Sequence, residues 1–252
     1  MNQNDKANHF KSLHMKGAPL VLYNVWDAGG AKVLAKAGSK AIATGSWSVA
    51  AAHGYKDGES IPLEFSLEIV KRIADTVDLP LTVDFEGAYA IAPDDVAANV
   101  GKVIQAGAVG INFEDQVVGG EGLHSIADQV ERIKAARQAA DQEGVSLFIN
   151  ARTDLFLKLG QEAHEDAVSE ALQREAAYRS AGADGFFVPG LGQPALIEKI
   201  VKGANLPVNV MMRGDLTALG DVAEVGVSRA SYGPGPYFDA MEDFAKRFNE
   251  LN

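Results

Sequence analysis

LTVDFE (81–86), VGINFED (109–115) and SLFINARTD (146–154) share one design: each runs apolar and then ends on carboxylates, an amide or an arginine. Central strands of a parallel barrel read as near-continuous apolar runs, and their C-terminal ends build the active site. The three stretches therefore predict one mouth holding Asp84, Glu86, Glu114, Asp115, Asn150 and Arg152.

Working outward, further candidate strands are Val21–Val25, Lys40–Thr44, Gly185–Val188, Val208–Met211 and Ser228–Ser231. Helical patterns lie between them. Pro62–Thr76 and Pro93–Ala106 open on proline, which suits a first helical turn. Ile126–Glu143 sets Ile126, Val130 and Ile133 on one face. Gln161–Ala181 is the longest pattern, and Gly30–Ala37, Pro194–Val201, Ala218–Val225 and Pro236–Phe248 complete the set. The junctions AGSKAIAT (37–44), AGAVGINF (106–113) and AGADGFFV (181–188) repeat one form, a glycine that ends a helix and turns the chain into a strand. Lys6–His14 predicts a helix ahead of the first strand. Ser46–Ile61 carries no clear element.

Eight strands alternating with helices predict a (β/α)8 TIM barrel with an additional N-terminal helix, a single catalytic domain over residues 1–252. The competing arrangement is an open doubly wound sheet. It would want a phosphate loop, and GSWSVAAAHG (45–54) is not GxGxxG.

With 47% hydrophobic residues the chain can fill one large core. The net charge of −11 argues against nucleic acid and anionic membranes as partners, while a local arginine and a metal can still draw in a small anion. Without cysteine, thiolate ligands and a cysteine acid or nucleophile are excluded. MNQNDKANHFKSLH (1–14) has no apolar signal region, and no apolar run has the length of a membrane span, so a cytoplasmic protein is expected.

Asp84 and Glu86 lie two apart and share one side of an extended strand, with Glu114 at the end of the next. Three converging carboxylates repel unless a cation joins them. A hard divalent ion such as Mg2+, with Mn2+ as a substitute, takes oxygen ligands and keeps waters. The alternative is that these acids cap helices or pair with bases. Asn150 and Arg152 also share a side. Arg152 can fork onto a small anionic carboxylate or phosphonate substrate, or pair internally with Asp154 or Glu114. Gly45 and Ser46 follow the second strand and can receive a substrate oxyanion. Asn209 interrupts an apolar strand and can bind a terminal carboxylate or satisfy buried backbone. Asp57 in HGYKDG (53–58) is either a turn residue or a carboxylate above the metal. His53 and His124 are acid–base candidates in loops on the same side. Trp26 reads as a pocket wall or a packing residue, and Asp27 as a helix cap. The glycine-dense loop VVGGEGLHS (117–125) reads as a mobile cover over the site, or as a surface excursion with no catalytic role.

These residues resemble the isocitrate lyase/phosphoenolpyruvate mutase superfamily. The resemblance rests on NVWDAGGA (24–31), ATGSWSVAAAHGYKDG (43–58), TVDFEGAY (82–89), GINFEDQ (110–116), INARTD (149–154) and PVNVM (207–211), with GVSRASYGPGPYFDAM (226–241) similar to the family's last strand and terminal helix. It implies a Mg2+-dependent barrel acting on 2-oxo acids or 2-hydroxy tricarboxylates. Asp57, Asp84, Glu86 and Glu114 would organise the metal directly or through waters. Gly45, Ser46 and Arg152 would hold the substrate, and Asn209 its distal acid. It also implies a homodimer or homotetramer with helix exchange. The lyases of the family carry lysine and cysteine in a loop ending CGH; VVGGEGLHS has neither. Mutases commonly place lysine after the ED pair, where this chain has Gln116. The favoured expectation is a C–C lyase or decarboxylase with an oxaloacetate-like substrate. Phosphoenolpyruvate or phosphonopyruvate mutase or hydrolase chemistry is the alternative, and a non-catalytic metabolite-binding barrel the third reading.

Overall fold

The computed structural model describes residues 1–214 and 216–251. Its eight strands are β1 (Leu20–Leu22), β2 (Ile42–Ala43), β3 (Leu81–Asp84), β4 (Gly110–Glu114), β5 (Phe148–Arg152), β6 (Gly185–Phe187), β7 (Val208–Met211) and β8 (Arg229–Ser231). All pair in parallel, each with its neighbour in sequence, and β8 returns to pair with β1. A parallel bridge between Val25 and Thr44 closes β1 against β2. The sheet is thus the expected (β/α)8 barrel, not the open doubly wound alternative.

The ladder is shorter than expected at this seam, where strands through Val25 and Thr44 were predicted. Asn24 takes over there. Its amide donates to the Thr44 carbonyl at 2.7 Å and accepts from the Tyr232 and Gly233 backbone N–H groups at 3.0 and 2.9 Å. One buried side chain therefore satisfies backbone that the ladder leaves open.

The helices are α1 (Gln3–Ser12), α2 (Ala28–Lys36), α3 (Ser46–Ala52), α4 (Leu63–Thr76), α5 (Pro93–Gln105), α6 (Ile126–Gln142), α7 (Leu155–Lys158), α8 (His164–Ser180), α9 (Pro194–Gly203), α10 (Leu219–Glu224) and α11 (Gly235–Asn249). Their causes are local. α5 starts on Pro93 with Asp94 and Asp95 in its first turn, and buries Val96, Val100, Val103 and Ile104 along one stripe. Asp27 caps α2 by accepting from Gly30 N–H at 2.7 Å. At Gly107 and Gly182 φ is 108° and 107°, which lets α5 and α8 turn at once into β4 and β6. Two helices were not anticipated. α3 hides in the stretch read as lacking an element because a tryptophan and serines blur its short alanine-rich period. α7 is a single turn after β5. Among the described residues no helix is long and apolar enough to cross a membrane.

The N-terminal helix begins earlier than expected. Asn2 and Asp5 form a reciprocal capping box that starts it. Phe10 is fully buried, and its ring meets Phe148 edge-on at 5.5 Å. His14 stacks on Phe148 at 4.0 Å, so α1 and the turn after it plug the end of the barrel opposite the mouth. Burial, helped by the Arg229 charge, pushes the His14 pKa down from 6.5 to about 3. The folded protein thus holds His14 neutral while the unfolded chain protonates it. Stability is complete above pH 6.5 and falls as pH drops toward 3, by up to about 1.4 kcal/mol per unit. Urea unfolding at pH 7, 6 and 5 should show a steeper loss in wild type than in His14→Gln. Equal slopes would refute the assignment.

Candidate active site

β-strand alternation turns Asp84, Asn112, Glu114, Asn150 and Arg152 into the barrel, where they meet Arg229 and Ser231 from β8. A cavity of about 170 Å³ opens at the C-terminal strand ends, with Ser46, Asp57, Asp84, Asn112, Arg152 and Arg213 among its polar lining. Asp84 is held from both sides. One oxygen accepts from the Ser46 backbone N–H at 3.1 Å and the Ser46 hydroxyl at 2.8 Å; the other accepts from the Asn112 amide at 3.1 Å. The Asn112 oxygen in turn accepts from Asn150 at 2.9 Å and Arg229 at 3.0 Å. Two donors on its oxygen force the Asn112 NH2 toward Asp84. Arg229 is fully buried, and burial lowers its pKa to about 9 against the pull of Asp84.

Arg152 sits among acids. Nη1 lies 3.0 Å from Glu114 and 3.7 Å from Asp84, while Nε and Nη2 fork onto Asp154 at 2.5 and 2.9 Å. Burial opposes its charge, but Glu114, Asp154 and Asp84 hold it firmly protonated. The internal pairing anticipated as an alternative therefore occupies the planar fork, and Nη1 is the nitrogen on the Glu114 and Asp84 side. Burial raises the Glu114 carboxyl well above its usual range, with Arg152 pulling it back. Glu86 is pushed up to about 8, first by burial and then by Asp84. Asp57, at the exposed rim, is also raised, by desolvation and by Asp84.

Four carboxylates, Asp57, Asp84, Glu114 and Asp154, thus surround Arg152, with Glu86 beside Asp84 and Asp57. Among the described residues no three His, Asp or Glu side chains converge closely enough to hold an ion by themselves. Of Asp57, Asp84, Glu86 and Glu114, expected to organise a metal directly or through waters, Glu86 turns its carboxylate onto the Gly58 and Glu59 backbone N–H groups and Glu114 pairs with Arg152. The donor set is nevertheless all oxygen, and Asp84 faces the cavity. That suits Mg2+, which takes one or two carboxylates and keeps its waters.

The remaining candidates divide between the cavity and its surroundings. Asp115 turns outward, fully buried, and accepts from Arg174 at 3.1 Å and Tyr178 at 2.8 Å. Trp26 packs beside Tyr237 in an outer groove between α2 and α11, and Trp47 is the tryptophan that lines the cavity. Asn209 lies deeper, accepting from Ser231 at 3.2 Å; Met211 and Arg213, farther along the chain, reach the lining. Ser46 spends its N–H and hydroxyl on Asp84, and Gly45 lines the cavity as the cap of α3. His53 bonds the Val49 carbonyl at 2.9 Å. Burial, joined by the nearby Arg132 charge, lowers the His124 pKa, and His124 is outside the cavity lining. The 117–125 loop folds back on itself through a Gln116–Leu123 bridge and adds no side chain to that lining. Asn112 was readable as a polar residue two positions before Glu114; Arg229, Arg213 and Trp47 were not singled out by any pattern.

The model of the phosphoenolpyruvate phosphomutase family matches residues 10–252. The chain belongs to this family. It therefore sits in the isocitrate lyase/phosphoenolpyruvate mutase superfamily, as the resemblance implied. The crystal structure of a "putative phosphonomutase" from Burkholderia cenocepacia is similar, with 48% identity, all of both chains covered and a TM-score of 0.97. An uncharacterized protein of Mycobacterium tuberculosis is 34% identical over 90% of this chain and 83% of its own. The 2-methylisocitrate lyase of Escherichia coli is 29% identical over 82% of this chain and 70% of its own. Family membership supports lyase or mutase chemistry on small 2-oxo, polycarboxylic or phosphonate acids.

Proposed function

We propose that this member of the phosphoenolpyruvate phosphomutase family is a Mg2+-dependent enzyme that moves a phosphoryl group on a three-carbon 2-oxo acid. The bond at C3 to phosphorus breaks and a bond from the enol oxygen to phosphorus forms, or the reverse, as between phosphonopyruvate and phosphoenolpyruvate. The observation that carries this reading is a cavity that has Asp57 on its rim but takes nothing from the 117–125 loop. An isomerisation leaves no carbanion to protonate, so the lysine and cysteine of the lyase loop are not needed; Gln116, where mutases commonly carry lysine, is the departure from that chemistry. Similarity to the Burkholderia protein over the whole chain supports the same choice. Phosphonate chemistry thus displaces the oxaloacetate-like substrate favoured by the sequence.

Arg152 holds substrate oxygens through Nη1. Asp57 carries the phosphoryl group between carbon and oxygen. Ser46 and Asn112 fix Asp84. A cation held by Asp84, with Glu86 and Glu114 reached through waters, would polarise the 2-oxo oxygen and steady the enolate charge.

C–C cleavage of a longer acid is the second reading. Leu157, Met211 and Arg213 border both this cavity and an adjoining one of about 400 Å³, which offers room and a cation for a distal carboxylate. The deciding experiment follows phosphonopyruvate and phosphoenolpyruvate by phosphorus NMR with Mg2+, beside oxaloacetate, isocitrate and methylisocitrate with metal-only controls. Interconversion of the two phosphorus compounds is expected. An unchanged phosphorus spectrum together with cleavage of any of the carboxylates at about 10⁴ M⁻¹s⁻¹ or above would replace the first reading by the second. Binding without turnover of any compound would leave a metabolite-binding barrel.

A further inference from the structure

Four non-glycine residues have positive φ among the described residues: Glu59 (55°), Glu86 (51°), Ala88 (63°) and Tyr89 (54°). All lie in two loops, the one after α3 that carries Asp57 and the one after β3 that carries Glu86. L-residues resist this left-handed backbone, and such strain persists only where neighbours over-determine it. Here the two loops determine each other. Glu86 accepts from the backbone N–H groups of Gly58 and Glu59, both at 3.0 Å. Glu59 accepts from the backbone N–H of Tyr89 at 2.7 Å and also bonds the Gly87 backbone. Each loop thus sends a carboxylate into the other's amides.

The exchange is braced. Buried Arg132 donates to the Gly87 and Ala90 carbonyls at 2.7 and 3.0 Å, and it faces Glu59 electrostatically. A Cβ on Gly87 would stand 3.0 Å from the Glu59 carboxylate and 3.2 Å from Val118, so a side chain here would press both back by a few tenths of an ångström. Val118 brings the 117–125 loop onto the same spot. In the sequence Glu59 borders a DG turn and lies outside every motif.

We propose that Glu59 and Glu86 form a reciprocal latch, and that Glu59 is a positioning residue that sets Asp57 and Glu86 at the mouth. It touches no substrate. It acts by holding two strained loops in one arrangement, so that the rim carboxylate and the buried one keep a fixed relation to Asp84. The positioning part rests on the proposed site; the latch itself does not.

The test compares Glu59→Ala with Glu59→Gln, whose amide oxygen can still accept from both N–H groups. In metal-free protein, amide exchange of residues 57–59 and 86–90 should quicken by about tenfold or more in Glu59→Ala and stay near wild type in Glu59→Gln. Mn2+ affinity, read by electron paramagnetic resonance, should weaken about tenfold in Glu59→Ala and recover in Glu59→Gln. Unchanged exchange of 86–90 in Glu59→Ala would overturn the latch. Faster exchange with unaltered Mn2+ affinity would overturn positioning. Equal loss in both variants would show that the charge acts, not the hydrogen bonds. If wild type binds no Mn2+, the metal reading fails and with it the positioning, while the exchange data still decide the latch.

Discussion

Asp84→Ala should lower turnover at least about 100-fold, close to 2.7 kcal/mol of transition-state stabilisation, and should reduce Mn2+ binding in parallel. Asp84 is the carboxylate that reaches the cavity with both oxygens already oriented, by Ser46 on one side and Asn112 on the other. Removing it leaves those donors facing a space open to water, so the barrel should stay folded. Asp84→Asn is not a mild control. Its NH2 would point at the donors of Ser46 or at the NH2 of Asn112, leaving one contact as donor against donor. Both variants should therefore fail with near-wild-type unfolding transitions. Full activity of Asp84→Ala after stringent metal removal would reject Asp84 as the metal residue.

How far the site was legible depends on what each residue needs to be recognised. The barrel and its mouth were readable because a strand buried on both faces must be apolar until it reaches solvent, and Asp84, Glu114 and Arg152 mark those points. The same rule misplaced Asp115. It assigned every polar residue at a strand end to the mouth, whereas alternation sends neighbours to opposite sides, and Asp115 instead bonds Arg174 and Tyr178 across 59 and 63 residues. Such partners are set by helix packing, which local pattern does not encode. Trp26 and Trp47 show a related limit. Each follows a strand, and only the path of α3 and α11 decides which ring faces the cavity. Arg229 was hidden for another reason: an arginine with no carboxylate in hydrogen-bond contact is not expected deep in a barrel, yet its Asn112 and Ser231 contacts make it part of the support for Asp84. The Glu59 exchange was illegible because it depends on left-handed backbone at residues where composition gives no hint of it.

Arg152→Lys should cost about 2–4 kcal/mol in kcat/KM even though it keeps the charge. The guanidinium reaches two acids at once, through Nη1 on Glu114 and the Nε and Nη2 pair on Asp154, and it still stands 3.7 Å from Asp84. A lysine ammonium is one point on a flexible stem. If it bonds Asp154 it abandons Glu114, and if it moves toward Glu114 it leaves Asp154 without its partner. Arg152→Met goes further, because both buried acids lose their counter-charge, and breaking such a network costs about 3–5 kcal/mol of stability. The two variants should therefore separate: Lys mainly inactive but folded, Met inactive and also unfolding at clearly lower urea. Chemical unfolding beside steady-state kinetics makes the comparison. Equal catalytic efficiency of Arg152→Lys and wild type would show that only a positive charge is required, and would remove Nη1 as a directed contact to substrate oxygens.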